Sequence, residues 1–423
     1  MVAGLAWYGI RASAMSPREI AWRTRPFGSS LARRDRSNAQ TDSRMLASSM
    51  QDWGALSQRF HNGGSDGNAA PLVSFLTSAY RTEPYVSETI ESVLAQTRGD
   101  WQLIVVDNGH SDEMARIIRN YTSDPRITLI RQKNMGIGGG LSAAAAAAVG
   151  RYVCVLHSDD AVEPNYCQRI GALIEADPGI DAVGCSAILY WDDERRKPGE
   201  YFASAGRKTK PDPSRAATFA ELLEEGVPHY VGAIRREAWD TYGGYEPSAD
   251  VEPDVALWLR LAAAGRDIRI LPDKLVRNRM RPNSESHDPA NLDSFEQRLQ
   301  RAFLLVGQEQ GMSESAVAAT GMLRRLRYRT SLRKARSALR AGDVQGARTA
   351  VRDAFRQQHT VRAAIVLAGL RLSPGLLRAI HPTKNRIQGA FQRAGFRMSR
   401  KCRGDTPTPP DSAGPHTLLE AES

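Results

Sequence analysis

The sequence predicts an α/β protein, a mostly parallel sheet flanked by helices. Three observations predict it: short apolar runs alternate with amphipathic segments from Val73 onward, the runs end on polar residues, and a glycine-rich loop precedes the third amphipathic segment. In chain order, "LVSFLT" (72–77) reads as a buried strand and "SETIESVLAQ" (87–96) as a helix covering it. "WQLIVVD" (101–107) is the second strand and "DEMARIIRNY" (112–121) the second helix, with acidic residues at its start, where the backbone dipole favours them. "ITLIR" (127–131), "LSAAAAAAVG" (141–150) and "YVCVLH" (152–157) complete a β-α-β-α-β-α-β series. Ligands of such sheets bind beyond the carboxyl ends of the strands, so the polar residues there are the candidate site.

Those ends carry Thr77 with Tyr80, Asp107 with Asn108 and Gly109, and Asp159 with Asp160. An aromatic can stack on a base, a carboxylate can accept hydrogen bonds from base or ribose, and paired carboxylates suit a divalent ion whose shell phosphates complete. Two adjacent aspartates at the end of an apolar strand are tolerable where a cation offsets their charge. The alternative is that Asp159 and Asp160 cap the helix that starts near Pro164.

Over residues 71–290 the chain resembles the inverting family 2 glycosyltransferases of GT-A fold, of the bacterial polysaccharide and glycan-assembly type. The resemblance lies in five segments in order: "VSFLTSAYRTEPYVSETIESVLAQT", "DWQLIVVDNGHSDE", "NMGIGGGLSAAAAAAVGRYVCVLHSDDAVEP", "VGAIRREAWDTYGGYEP" and "DVALWLRLAAAG". It implies a nucleotide-sugar donor, a glycan or lipid-linked acceptor, and a divalent metal, Mg or Mn. Thr77, Ala79, Tyr80, Glu83, Asp107, Asn108 and Gly136 are the implied donor contacts, with Asp107 on base or ribose. Asp160 is the implied metal ligand, helped by Asp159, which also reaches the ribose. Asp254 is the implied general base, with its ionised form favoured by the start of a helix.

The chain departs from the family pattern at four places. His157 stands where aspartate is common and reads as a packed strand residue without a role. Pro253 precedes the base, leaving Glu252 as an outside candidate. Leu141 and Ser142 replace a polar Arg-Asn pair. Arg281 replaces a late histidine; it cannot ligate a metal but suits a diphosphate. His157, Pro253 and Arg281 leave one alternative, a glycosyltransferase-like protein that binds nucleotide or glycan without turnover, and the paired aspartates leave another, a metal-dependent nucleotidyltransferase on a similar sheet. The glycines around Gly136, Gly138, Gly139 and Gly140 follow the third strand, not the first, which argues against a dinucleotide fingerprint.

The organisation expected is a basic helical segment (1–50) containing "SPREIAWRTR", a linker (51–70), the catalytic domain (71–290), a basic helical region (291–403) and a disordered tail (404–423). The net charge of +10 is uneven. Residues 322–403 hold 21 Lys and Arg against Asp343 and Asp353, whereas residues 51–321 are net acidic. In that basic region "SLRKARSALRAGDVQGARTAVRDAFRQQ" reads as two helices around a turn at Gly342, and "VRAAIVLAGLRLSPGLLRAI" as an interfacial helix pair. An anionic membrane surface is therefore an expected peripheral contact. Nucleic acid is not expected, since the region has few aromatics to stack bases. Four cysteines without CxxC spacing and no spanning apolar run place the chain in the cytoplasm, at most peripheral to the membrane's inner face.

Overall fold

The computed structural model describes residues 70–375, apart from 194–195, 246–249, 282–283, 285–287 and 289–290. The expected N-terminal helical segment, nearly all of the linker, the C-terminal tail and the second half of the apolar pair lie outside the described residues. Those described belong to one compact unit that begins at Ala70.

The expected alternation is present. Strands β1 (Val73–Ala79), β2 (Trp101–Asp107), β3 (Ile127–Arg131) and β4 (Tyr152–Val155) are connected through helices α1 (Val86–Leu94), α2 (Asp112–Arg119) and α3 (Gly136–Ala147). All four strands are parallel, with Leu76 of β1 between Ile104 of β2 and Val155 of β4. Helices cover such strands on both sides, so their sequences are continuously apolar; all seven residues of β2 are buried. Ser111 caps α2 by accepting from the Met114 amide, and Arg116 and Arg119 occupy its last turn.

One boundary differs from expectation. The helix expected from Leu141 starts five residues earlier, so the glycines form its first turns. A Cβ on Gly140 would lie 2.1 Å from Ser78 Oγ, so only glycine lets the helix lie this close to the end of β1.

Beyond β4 the topology changes. Strand β5 (Ala161–Val162) and helix α4 (Tyr166–Ala176) lead to β6 (Ala182–Tyr190), β7 (Gly199–Glu200) and the short helices α5 (Tyr201–Ala205) and α6 (Phe219–Glu225). Strand β8 (Ala233–Arg235), helices α7 (Arg236–Thr241) and α8 (Pro253–Ala263), and the long strand β9 (Ile268–Arg279) follow. The sheet order is β3-β2-β1-β4-β8-β6-β9-β5, with β7 paired to β6. Strand β8 inserts antiparallel between β4 and β6, and β9 runs parallel to β6. The far end of β9 meets β5 antiparallel, which brings residues 276–279 beside the turn that follows β4.

The described part of the basic region is helical as expected: α9 (Leu292–Glu309), α10 (Glu314–Ala318), α11 (Gly321–Ala341), α12 (Val344–Gln357) and α13 (Val361–Leu372). Gly342, at φ +87°, ends α11 in the left-handed conformation, and Asp343 caps α12 from the Gly346 amide. Ala335, Leu339, Ala347, Val351 and Leu370 form a small core of their own. Arg260 and Glu309 bridge α8 to α9 at 3.0 Å, and the Gly321 amide donates to Glu224 at 2.6 Å, tying α11 to α6.

Candidate active site

The carboxyl ends of β1 and β2 divide the expected donor contacts into exposed and buried groups. Tyr80 is 42% exposed, with its ring against Gly109, where a Cβ would come within 2.9 Å. Glu83 is half-buried and accepts from Ser111 Oγ at 3.1 Å. Thr77 and Ala79 are wholly buried. Alternation along β1 turns both into the sheet's packing.

Asp107 is buried at the end of β2. Its carboxylate accepts from the Ser111 amide at 3.0 Å and from Arg131 Nε at 3.0 Å. Asn108 acts as a clamp: Nδ2 donates to the Gly136 carbonyl at 2.8 Å, while Oδ1 accepts from Gln132 and from the Met135 amide. Asn108 thereby fixes the turn that leads into the glycines of α3. Gly136 itself is exposed, with φ +72°.

The two aspartates are distinct in their surroundings. Asp160 is buried, and its carboxylate accepts from Asn278 Nδ2 at 3.0 Å on each oxygen, from the Arg279 amide at 2.8 Å, and from the Tyr230 hydroxyl. Three donors make four hydrogen bonds to its oxygens. Burial, and then the neighbouring charge of Asp159, push its carboxyl well above the usual range against those hydrogen bonds. Asp160 therefore sits at the end of a strand because the other half of the sheet supplies its hydrogen bonds, not only because a cation might. Helix α4 is not its purpose either, since that helix starts after Asn165.

Asp159 is 14% exposed and pairs with Arg281 at 2.5 Å. His157, expected to be a packed residue without a role, instead joins the cluster: one ligand atom each from His157, Asp159 and Asp160 lie within 4.8 Å of one another. Its ring stacks on Tyr230 at 4.1 Å, and His229 lies on the same tyrosine at 4.2 Å. Imidazole and carboxylate oxygens are a donor set that Mn, and less readily Mg, accepts, so the residues present fit a divalent ion.

Asp254 stands in the first turn of α8, after Pro253 and the N-terminal residue Glu252. The expectation that the helix start would keep its pKa low is corrected. Burial raises it to about 6, outweighing the hydrogen bonds from its own amide and that of Val255. Its charge is felt by the buried phenols of Tyr201 and Tyr245, which are both pushed up, first of all by desolvation. Tyr245 donates to the Tyr230 carbonyl at 3.2 Å, and Tyr230 donates to Asp160. The charge of Asp254 is thus felt by Tyr245, which is bound to the backbone of the residue whose hydroxyl donates to Asp160. Glu252, the outside candidate, is bound to Arg298 of α9 at 2.7 Å and serves packing.

Sequence reading missed Tyr230, Asn278 and Arg279. Arg279 lies between the rings of Tyr85 and Tyr190, 4.9 Å from each centroid, and its guanidinium reaches Asp192, Glu88 and the Asp159 carbonyl. The signal available was "VRNRMR" at the end of a long strand, a polar run where burial would otherwise favour apolar residues.

Residues 74–242 match the family model described as Glycosyl transferase family 2. Asp254 and Arg281 lie beyond that match. Among curated proteins, the chain is 34% identical over 126 residues to an uncharacterized glycosyltransferase, EpsJ of Bacillus subtilis, covering 30% of this chain and 36% of that protein. It is 28% identical over 196 residues to the chondroitin synthase of Escherichia coli, covering 46% of this chain and 27% of the other. The chain spans about a third of the length of the curated relatives it matches first. Among solved structures, S. aureus TarS 1–349 in complex with UDP-GlcNAc aligns with a TM-score of 0.48 at 15% identity, over 74% of this chain and 91% of that one.

Proposed function

We propose that this chain, which carries a glycosyltransferase family 2 domain over residues 74–242, transfers a sugar from a nucleotide-sugar donor to a hydroxyl of a glycan or lipid-linked acceptor, with inversion. The observation that carries the reading is the clustering of His157, Asp159 and Asp160 at the carboxyl edge of the sheet, beside an aromatic group whose Tyr201 feels the charge of Asp254, a carboxylate raised to about 6. That division suits a displacement at an anomeric carbon. On one face the acceptor oxygen attacks, its proton passes to the Asp254 carboxylate, and the bond from the anomeric carbon to the phosphate oxygen breaks. On the other face the leaving diphosphate needs positive charge. A divalent ion held by Asp159 and His157 would supply it, by offsetting the charge that develops on the phosphate oxygens.

Asp160 is the more buried of the pair, and its hydrogen bonds to β9 and Tyr230 hold the turn that carries Asp159. Tyr80 stacks on the base, Glu83 and Asp107 line the nucleoside side, and Gly136 leaves the backbone open to the donor. A base of pKa near 6 is ionised at neutral pH and still accepts a proton in the transition state, which a carboxylate in water does less well.

The test is nucleoside diphosphate release from a panel of nucleotide sugars, with Mn, Mg or chelator, comparing the wild type with Asp254→Asn and Asp159→Asn. Release that both variants lose supports the reading. Pyrophosphate release would instead indicate a nucleotidyltransferase, and tight nucleotide binding without release a binding protein.

Peripheral contact with an anionic membrane belongs to the same proposal. No helix among the described residues is long and apolar enough to cross a membrane. Helix α13 presents Val361, Ile365 and Leu372 at 76%, 63% and 86% exposure, at helical spacing on one face, beside exposed Arg362 and Arg371. Cosedimentation with phosphatidylglycerol vesicles, lost in the double variant Ile365→Asp, Leu372→Asp, is the expected result; wild-type binding unchanged by those substitutions would remove α13 from the contact.

A further inference from the structure

We propose that Arg281 is an electrostatic latch on the cation site. In the empty protein it neutralises Asp159, and it moves to the diphosphate of the donor only as the cation enters, so that the cation binds well only together with nucleotide. The inference rests on the glycosyltransferase reading above.

The geometry of β9's end carries it. Arg279 and Arg281 leave this end on the same side, yet they are held differently. Arg279 is locked: it lies between two tyrosine rings and reaches two carboxylates and a carbonyl. Arg281 has a single charged partner among the described residues, Asp159 at 2.5 Å, with the Tyr85 ring 5.1 Å from its guanidinium carbon and its Nε buried without a partner. A guanidinium with one partner and one aromatic wall can change partner at little cost. Its present partner is one of the two half-buried members of the only three-ligand group among the described residues.

A carboxylate oxygen engaged by a guanidinium is not free for a cation, and an arginine within a few ångström repels an incoming divalent charge. A cation alone must therefore break the pair and then sit beside the unpaired arginine. A diphosphate changes both conditions. Its oxygens offer the guanidinium a two-pronged partner and complete the oxygen shell of the cation. Coupling of this kind is reciprocal: the diphosphate gains from the cation by the same factor as the cation gains from it.

The test compares wild type with Arg281→Gln, using Mn²⁺ alone, read from the loss of the free Mn²⁺ resonance, and inorganic pyrophosphate alone in chelator, read by calorimetry. Arg281→Gln is expected to bind Mn²⁺ about tenfold tighter and pyrophosphate about tenfold weaker than the wild type, the size of a typical coupling. Equal or weaker Mn²⁺ binding by Arg281→Gln overturns the latch. Should that variant not fold, Arg281→Lys decides by the same comparison, with Mn²⁺ bound about threefold tighter, since lysine keeps the charge and loses the fork. Nucleoside diphosphate release with equal Mn²⁺ affinities would sink the latch and leave the glycosyltransferase reading standing. Latch behaviour without release from any nucleotide sugar would do the reverse.

Discussion

The side-chain amide of Asn278 donates to both carboxylate oxygens of Asp160, at 3.0 Å each, and so joins the end of β9 to the turn after β4. These residues are 118 positions apart in sequence. Through them the antiparallel half of the sheet holds the aspartate pair that the parallel half delivers.

Asn278→Ala should therefore destabilise the fold by about 1–3 kcal/mol, because it leaves a buried carboxylate short of its donor. Asp159→Asn should change stability far less, since that carboxylate is partly exposed and has one ionic partner. Chemical denaturation of the two variants separates the roles, and equal losses would contradict the division drawn between the two aspartates.

Activity should rise about tenfold per pH unit up to about pH 6 and level off above it, as Asp254 ionises. Asp254→Asn should lower kcat by about 10² or more at pH 7.5. Stability should move the other way. The folded pKa lies above the unfolded one, so the protonated form is favoured in the fold, and its stabilisation is lost as pH rises through about 6. Discounting for partial exposure, the asparagine variant should gain about 1–2 kcal/mol at pH 8. A variant that loses activity and stability together would mean that Asp254 is a structural cap.

His229 is buried among Tyr201, Tyr230 and His157, and desolvation first, then the charge of His157, lower its pKa to about 3. The unfolded chain takes up a proton at this residue near pH 6.5, and the fold refuses it. Stability from this site is complete above about pH 6.5 and falls as the pH drops toward 3, by about 2 kcal/mol at pH 5. Midpoints of urea unfolding against pH should show this slope, and His229→Phe should flatten it.

Gly140→Ala should act on the donor side. The added methyl would meet Ser78 Oγ at 2.1 Å and Asn108 Cγ at 3.2 Å, so α3 must lift from β1. A loss of about 1–3 kcal/mol and a raised donor KM are expected. Gly136→Ala should raise the KM without the clash, because nothing lies within 4 Å of its Cβ and only its φ of +72° resists a side chain. Donor titrations on both variants check the contrast.

Much of the fold was legible because its signals are local. The four parallel strands and three helices follow from apolar runs of strand length between amphipathic segments, and Gly342 marks its turn by needing a left-handed backbone. The start of α3 was not legible, because glycines disfavour a helix in isolation and are accepted here only for the close approach they allow to Ser78. His157 was passed over for a similar reason: in sequence it ends an apolar run, whereas in space it faces Tyr230 and two carboxylates that the strand itself does not reveal.

By itself, then, the sequence determined the parallel half of the sheet, the placing of candidate residues at its carboxyl edge, and the basic helices beyond. Only the tertiary structure decided which of two adjacent aspartates is filled by hydrogen bonds and which pairs with Arg281, and that Asp254 titrates near 6 although it begins a helix. The physical reason is range. Strand and helix patterns express backbone geometry over a few residues, while desolvation and hydrogen-bond filling depend on partners such as Tyr230, Asn278 and Arg281, which arrive from strands and loops about a hundred positions away.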